Sequence, residues 1–199
     1  TNGSTTFTDS STNAQSVTVN GSAQISTAQS QFGGASGRFN GSGDYLDVAG
    51  SALLTFPGAF SIQGWVRVDT VGSSYQALCE LGTYSNGVLI RATTSTASND
   101  SVYVNGYNLG IINSSFTSGT WAYVSVTRDD SNLVQVAVNG TVIKSYTVSG
   151  TVNSSGAGLR IGAARHTTGN YLAGYVDDFR ITKGVARPHT VPTAAFPNP

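Results

Sequence analysis

The sequence predicts an all-β fold, a two-sheet antiparallel sandwich of the jelly-roll kind. Short stretches of alternating apolar and polar residues recur at intervals of about 8 to 12 residues, and turns rich in glycine and asparagine separate them. No window carries apolar residues at helical spacing over three turns. The length of 199 residues suits one such domain, because sandwiches of this size commonly fold undivided.

Composition narrows the class of protein further. Only 10% of the residues are charged and the formal net charge is zero, which argues against a nucleic-acid partner or a polybasic membrane surface. No apolar run approaches the roughly 20 residues that a membrane helix needs. Cys79 is the single cysteine, so an intrachain disulfide is excluded. We expect Cys79 to act as a small buried hydrophobic residue.

The elements follow in chain order. Residues 1–31 are polar and predict an edge strand near residues 16–19 and a tether, residues 32–187 predict the jelly roll, and residues 188–199 predict an extended arm on the surface. The alternation predicts strands at residues 37–40, 44–48, 60–68, 75–81, 88–92, 101–105, 121–127, 133–138, 141–148, 159–162 and 172–184. The pair Asn139-Gly140 accepts positive φ at low cost and predicts a two-residue hairpin turn.

Two strands carry tryptophans that we expect to be largely buried. In residues 60–68 the alternation directs Phe60, Ile62, Gly64, Val66 and Val68 inward. Trp65 then lies on the opposite face. Trp121 begins a strand whose inward residues are Ala122, Val124 and Val126.

The last strand, residues 172–184, is long enough to run through the middle of a sheet. Strict alternation places one set of side chains on one face, Tyr175, Asp177, Phe179 and Ile181. It places Val176, Asp178, Arg180 and Thr182 on the other. A carboxylate among apolar neighbours needs hydrogen bonds or a cation, so Asp177 is the costlier of the two adjacent aspartates.

The acidic residues argue against a glycoside hydrolase. Glycoside hydrolysis normally uses two carboxylates that flank the scissile bond. This chain has one glutamate, Glu80, in an apolar strand. The paired aspartates 129–130 and 177–178 are adjacent, and adjacent residues of a strand point to opposite faces. The histidines at positions 166 and 189 fall in a predicted loop and the arm, with no arrangement that marks a catalytic triad.

The closing run, residues 174–187 (GYVDDFRITKGVAR), resembles the end of laminin-G-like domains of the concanavalin A-like superfamily, most of all those of tailed-phage virion proteins. Further similar segments follow in the family's order at residues 32–36, 39–46, 60–66, 119–121, 138–140, 159–162 and 192–197. The resemblance implies the concanavalin A-like jelly roll, a fold of lectins as well as glucanases. It also implies a setting on a virion surface or an extracellular protein.

The resemblance raises the question of calcium, which many relatives bind. Asp44 and Asp177 match acidic positions of the family pattern. However, amides stand at Asn40, Gln63 and Asn139, where relatives more often carry acids. Calcium usually needs more than one carboxylate among its oxygen ligands. We therefore expect no cofactor, with protein groups satisfying both aspartates, and keep a structural calcium as the alternative.

Aromatic residues in polar loops are the candidate ligand-binding residues, because carbohydrate sites combine aromatic faces with a few polar groups. The candidates are Tyr84, Tyr103, Tyr107, His166 and Tyr171. The expected function is a non-catalytic binding or display module whose partner is a glycan or host-surface receptor. The alternatives are a structural capsid or tail protein that contacts other virion subunits or forms an oligomer, and an accessory domain of a larger glycosidase.

Overall fold

The computed structural model describes residues 1–71, 75–92, 102–110 and 115–197. Two antiparallel sheets of seven strands each dominate these ranges, and a short 3-10 turn spans Ala52–Leu54. The all-β sandwich that the sequence predicts is confirmed. Within the same ranges, no helix is long and apolar enough to cross a membrane.

The strands are numbered in chain order. They are β1 Val17–Asn20, β2 Gln24–Ser26, β3 Ser36–Asn40, β4 Tyr45–Val48, β5 Phe60–Val68, β6 Ala77–Thr83, β7 Asn86–Arg91, β8 Val102–Val104, β9 Tyr107–Asn108, β10 Trp121–Arg128, β11 Leu133–Val138, β12 Thr141–Thr147, β13 Leu159–Ile161 and β14 Ala173–Lys183. The first sheet has the order β1-β4-β13-β6-β7-β8-β9, and the second has the order β12-β11-β10-β5-β14-β3-β2.

The core lies between the two sheets, where their inward faces meet. The predicted inward faces of β5 and β10 are confirmed, since the alternate apolar residues of both strands belong to one buried cluster. Cys79 is buried in the same cluster, as predicted. Trp65, on the outer face of β5, is only 6% exposed because Phe32 and Tyr123 pack against it. Trp121 packs on Tyr175 but stays partly exposed, so its predicted burial is only partial.

The hairpin between β11 and β12 has the predicted turn. Asn139 and Gly140 adopt φ values of 49° and 81°, and the strands on either side pair antiparallel. Strands β2 and β9 were not predicted, because each spans only two or three residues. Strands β3 and β4 fall close to their predicted positions but belong to different sheets, so the turn between them crosses the edge of the sandwich.

The predicted division of faces along β14 is wrong beyond Asp177. The strand lies between β5 and β3, as a central strand should, but its register against β5 shifts between Asp177 and Arg180. Asp178 adopts φ 49°, which is the conformation of a β-bulge residue. The extra residue turns Phe179 and Ile181 to the core side, where they pack with Val176 against the buried cluster. Asp177 stays on the outer face with Tyr175.

The outer face of the second sheet is covered by segments near both ends of the chain. Asp177 accepts hydrogen bonds from the backbone N–H groups of Gln31 and Phe32, at 2.8 and 3.1 Å. Beyond β14 the chain turns back, and the backbone N–H of Phe196 donates to the carboxylate of Asp178. The remaining outer face is that of the first sheet, and it carries the candidate functional site.

Candidate functional site

A row of side chains runs across the outer face of the first sheet. Its members are cross-strand neighbours in register, Asp47 on β4, Arg160 on β13, Glu80 on β6, Leu89 on β7 and Tyr103 on β8. The residues before and after them on these strands point into the core. The row therefore alternates negative, positive and negative charge and then ends on an aromatic ring.

The loop at residues 162–172 folds back over this row. A bridge between Ala163 and Tyr171 closes the loop. It begins at Gly162, with φ +84°, where an added Cβ would overlap the core ring of Phe39; only glycine fits this turn. Arg165 Nη1 lies 3.0 Å from Asp47 Oδ1 and fixes the loop to the charged end of the row.

Glu80 is the centre of the site. It is fully buried, and its carboxylate accepts hydrogen bonds from the backbone N–H groups of Arg165 and His166. His166 Nδ1 lies 2.9 Å from both Glu80 oxygens, and Arg91 Nη2 lies 3.2 Å from His166 Nε2. Because arginine only donates, His166 Nε2 must accept and Nδ1 must carry the hydrogen. The Glu80 carboxylate is therefore occupied by donors.

An aromatic group stands above Glu80. The ring of Tyr84 is centred 5.0 Å from that of His166 and 5.6 Å from that of Tyr103. The guanidinium of Arg91 lies 5.9 Å from the Tyr103 ring centre. We call Tyr84, Tyr103, His166, Arg91 and Glu80 the Tyr84 cluster. Tyr84 is 42% exposed, so the cluster presents an aromatic surface that buried polar groups hold in place.

The other two ligand candidates lie elsewhere. Tyr107, on β9, packs against Tyr146, on β12, where the ends of the two sheets meet. Tyr171 stacks on Tyr45 at 6.5 Å, at the opposite end of the loop from His166. The structure thus joins three of the five candidates and separates two.

Sequence reasoning missed the two arginines of this face, Arg91 and Arg160. Each follows or interrupts an apolar strand segment in a chain with few charges. Arg160 donates to both oxygens of Asp47 at 3.0 Å and lies 3.8 Å from the ring centre of Tyr45. A charged residue inside an apolar strand was the available signal, because burial of a charge requires a partner.

The two candidate metal ligands are both engaged by backbone N–H groups. Asp44, 2% exposed, accepts from Ser22 N at 2.6 Å and from Asn40 N at 2.9 Å. Asp177 accepts from the backbone N–H groups of Gln31 and Phe32, in the segment that covers the outer face of the second sheet. Across the described ranges, no three His, Cys, Asp or Glu side chains lie close enough together to hold a metal ion.

One serine–histidine pair lies on the outer face of the second sheet. Ser125 Oγ is 3.0 Å from His189 Nδ1, and the other ring nitrogen faces Thr127 Oγ1 at 3.4 Å. Burial lowers the pKa of His189. A hydroxyl occupies the position where a triad has its carboxylate, and Ser125 is fully buried, so this pair does not have the arrangement of a catalytic triad.

Comparison with solved structures shows the same fold in carbohydrate-related and toxin proteins. Domain 4 of an extracellular GH43 arabinanase from Geobacillus stearothermophilus, solved in complex with arabinotriose, superposes with a TM-score of 0.64 at 16% identity, over 88% of this chain and 84% of that one. The botulinum neurotoxin serotype G binding domain gives 0.63 at 16% identity, over 92% and 46%.

A third structure, the binding domain of botulinum neurotoxin DC in complex with SialylT, gives 0.63 at 16% identity, over 88% of this chain and 45% of that one. This chain therefore spans less than half of the toxin binding domains that it matches. At these identities the likeness concerns the fold.

Sequence comparison gives the family. No curated protein matches the chain. The sequence profile described as the concanavalin A-like lectin/glucanases superfamily matches residues 40–191, which is most of the chain and includes strands β4 to β14. The chain belongs to the concanavalin A-like lectin/glucanase superfamily.

Proposed function

We propose that this chain is a non-catalytic carbohydrate-binding module and that the Tyr84 cluster binds the sugar. The observation that carries the proposal is the position of the Tyr84 ring, 42% exposed and in edge contact with both His166 and Tyr103. The fold supports it, because a neighbour of the same architecture was solved in complex with arabinotriose.

The chemistry of the cluster suits a saccharide. The apolar face of a sugar ring packs on an exposed aromatic side chain, while its hydroxyls need nearby donors and acceptors. Tyr84 supplies the exposed ring, and the imidazole of His166 lies in edge contact with it. Because Glu80 and the loop backbone hold His166, the aromatic surface is ordered before a ligand arrives, which reduces the entropy cost of binding.

The same geometry argues against hydrolysis at this site. Glu80 is the only glutamate of the chain. Its carboxylate is buried and accepts from two backbone amides and an imidazole. A glycosidase needs a second carboxylate across the scissile bond. The nearest acid along the row is Asp47, which Arg160 and Arg165 bind.

We propose an extracellular or virion-surface setting, with a glycan or host-surface receptor as the partner. The virion part rests only on the resemblance of residues 174–187 to tailed-phage proteins. A second candidate is an accessory domain of a larger glycosidase, which the arabinanase domain favours. In either setting residues 32–187 would form the binding unit, with residues 1–31 and 188–199 as its tether and arm.

A glycan array followed by calorimetric titration tests the proposal. Tyr84→Ala should weaken binding of the best glycan about tenfold or more, and it should lower the stability by about 1 kcal/mol, because the 42% exposed ring loses its edge contacts with His166 and Tyr103. Tyr146→Ala is the matched control, since that ring is 48% exposed and also packs against a tyrosine. Loss of binding in the control but not in Tyr84→Ala contradicts the proposed site.

A chain that binds no glycan and purifies in a symmetric assembly with virion subunits would contradict the proposed function itself. That result would favour the structural role.

A further inference from the structure

A cleft lies between the outer face of the second sheet and the C-terminal segment at residues 187–196. Its volume is about 360 Å³, and its polar lining comes from Gln63, Tyr123, Arg180 and Arg187, with the ring of Phe196 beside them. We call it the arm cleft. It is on the opposite sheet from the Tyr84 cluster.

Arg180 is held firmly in this cleft. Its Nη2 donates to Gln63 Oε1 at 2.7 Å, and its guanidinium carbon lies 3.6 Å from the ring centre of Phe196. Its Nε is buried and has no hydrogen-bond partner among the described residues. A buried donor without an acceptor costs free energy that a bound acceptor would recover.

Arg187 brings a second positive charge to the same cleft. Its Nε donates to Thr182 Oγ1 at 2.9 Å and its backbone N–H donates to Ser61 Oγ at 2.8 Å, which leaves the end of the guanidinium fork available. Burial lowers the pKa of Arg180, and the charge of Arg187 lowers it further. Both arginines line the arm cleft, so they bring two like charges to one small volume.

The acidic groups nearby do not neutralise this pair. Asp178 accepts from the backbone N–H of Phe196 with both oxygens, and the described residues contain no ion pair between it and either arginine. Tyr123 keeps its proton, because burial raises its pKa to about 12. The charge of Asp178 acts on Arg180 without an ion pair and offsets only part of the positive charge, because two guanidinium groups and no carboxylate from the described part of the chain line the cleft.

We propose that the arm cleft binds a small oxyanion, the carboxylate or sulfate group of an acidic ligand. Guanidinium groups bind such groups through paired N–H donors, and Arg180 and Arg187 offer donors from two sides. The volume of the cleft accommodates a group of monosaccharide size. This site goes beyond the proposed function, and its failure leaves the Tyr84 cluster unaffected.

The test is an NMR titration of the isotope-labelled chain with sodium sulfate and with sodium glucuronate. Glucose and sodium chloride at matched ionic strength are the ligand controls. We expect saturable shifts at the Arg180 Nε–H and at the backbone amides of residues 187–196. Which anion binds more tightly identifies whether the site prefers sulfate or carboxylate. Shifts that stay linear in anion concentration, or that chloride reproduces, overturn the proposal.

Substitutions of single residues test whether the anion binds in the arm cleft. Arg187→Gln should weaken the binding of both anions about tenfold, which corresponds to the loss of one charge-assisted contact. Lys144→Gln is the matched control, because it removes the same charge from an exposed position on β12, at the far end of the same sheet. Equal affinity of Arg187→Gln and the unaltered chain overturns the proposal.

If Arg187→Gln does not fold, Arg187→Lys decides the question. Lysine keeps the charge and loses the planar fork, so we expect several-fold weaker binding. An unchanged affinity of this variant overturns the assignment of the guanidinium pair.

Discussion

Arg128 has the largest side chain that is fully buried among the described residues. Its guanidinium donates to the backbone oxygens of Phe56, Gly58 and Gly150, and it lies 5.6 Å from the ring centre of Phe60. Burial lowers its pKa. One side chain at the end of β10 thus binds carbonyl groups from two loops, those of Gly58 and Gly150 and that of Phe56, which also accepts from the backbone N–H of Val152.

Arg128→Met should therefore lower the free energy of unfolding by about 3 kcal/mol or more, since it removes the four hydrogen bonds that this fully buried side chain donates. Urea denaturation measures this change. Arg165→Met is the control, because that side chain is partly exposed and its ion pair with Asp47 is worth less than about 1 kcal/mol. Equal losses in the two variants would contradict this role of Arg128.

Glu80→Ala should also destabilise the fold, by roughly 2 to 4 kcal/mol, because it leaves buried N–H groups of Arg165 and His166 without an acceptor. Glu80→Gln keeps one acceptor oxygen and should lose less. Hydrolysis of β-glucan and arabinan should stay at background in the unaltered chain and in both variants. Measurable hydrolysis that disappears with Glu80→Ala would show that this carboxylate is catalytic.

At the scale of single residues, the Tyr84 cluster shows how much of the candidate site could be predicted from the sequence. Aromatic residues in polar loops were the candidate ligand-binding residues, and three of them, Tyr84, Tyr103 and His166, lie in contact. Their binding of a ligand stays a prediction. The partner of Glu80 was not predictable, since His166 lies 86 positions away along the chain and only the fold-back of a loop brings them together.

At the scale of elements, strand β14 departs most from its sequence pattern. Alternation is unbroken from Tyr175 to Ile181, so the pattern alone gives two uniform faces. The bulge at Asp178 depends on a positive φ that aspartate tolerates better than most residues, and on Phe196, whose backbone N–H binds the carboxylate. Both are consequences of tertiary packing. In contrast, β5 and β10 keep strict alternation and pair with each other without a register shift, so their faces were predictable.

The carboxyl group of Asp178, the bulge residue, predicts a pH dependence of the folding stability. Burial raises the pKa of Asp178 above its ordinary value of 3.8, and the charge of Asp177 adds to this. A raised pKa in the folded state stabilises the fold at low pH, and this stability is lost as the pH rises through the folded pKa. Compared with the unaltered chain, Asp178→Asn should therefore become relatively more stable as the pH rises from below 3.8 towards neutral.

Asp129→Asn is the control with the opposite sign. Hydrogen bonds from Ser131 and Leu133 lower the pKa of Asp129, so its carboxylate stabilises the fold above the unfolded-state pKa. Removing it should make the variant relatively less stable over the same rise in pH. Urea denaturation at a series of pH values measures both differences, and parallel curves for the two variants would contradict the assignment.

At the scale of the whole molecule, Asp177 links distant parts of the chain. Its carboxylate binds the backbone of residues 31 and 32, which lead into β3, and so fixes the N-terminal segment across the second sheet. Asp44 plays a similar part at the turn between the sheets, where it binds Ser22 and Asn40. The sequence identified Asp177 as costly and predicted that protein groups, rather than calcium, satisfy both aspartates. It could not identify the particular amides, because backbone N–H groups leave no signature in the side-chain pattern.

We predict that EDTA leaves the melting temperature unchanged and that added calcium does not raise it, since backbone N–H groups already occupy both carboxylates. Asp177→Ala should lower the melting temperature by several degrees, whereas Asp177→Asn, which keeps an acceptor oxygen, should lower it less. Differential scanning calorimetry with and without EDTA is the measurement. A chelator-induced drop that calcium reverses and Asp44→Ala abolishes would establish a calcium site.

The position of β14 also governs how this chain must fold. The strand follows all the others in sequence, yet it lies between β5 and β3, whose paired residues precede it by more than a hundred positions. Until it enters, β5 and β3 each present an open backbone edge. Contacts of such sequence separation slow the approach to the transition state, and open edges invite pairing with other chains. The interval before β14 docks is therefore the period in which this protein is most exposed to aggregation.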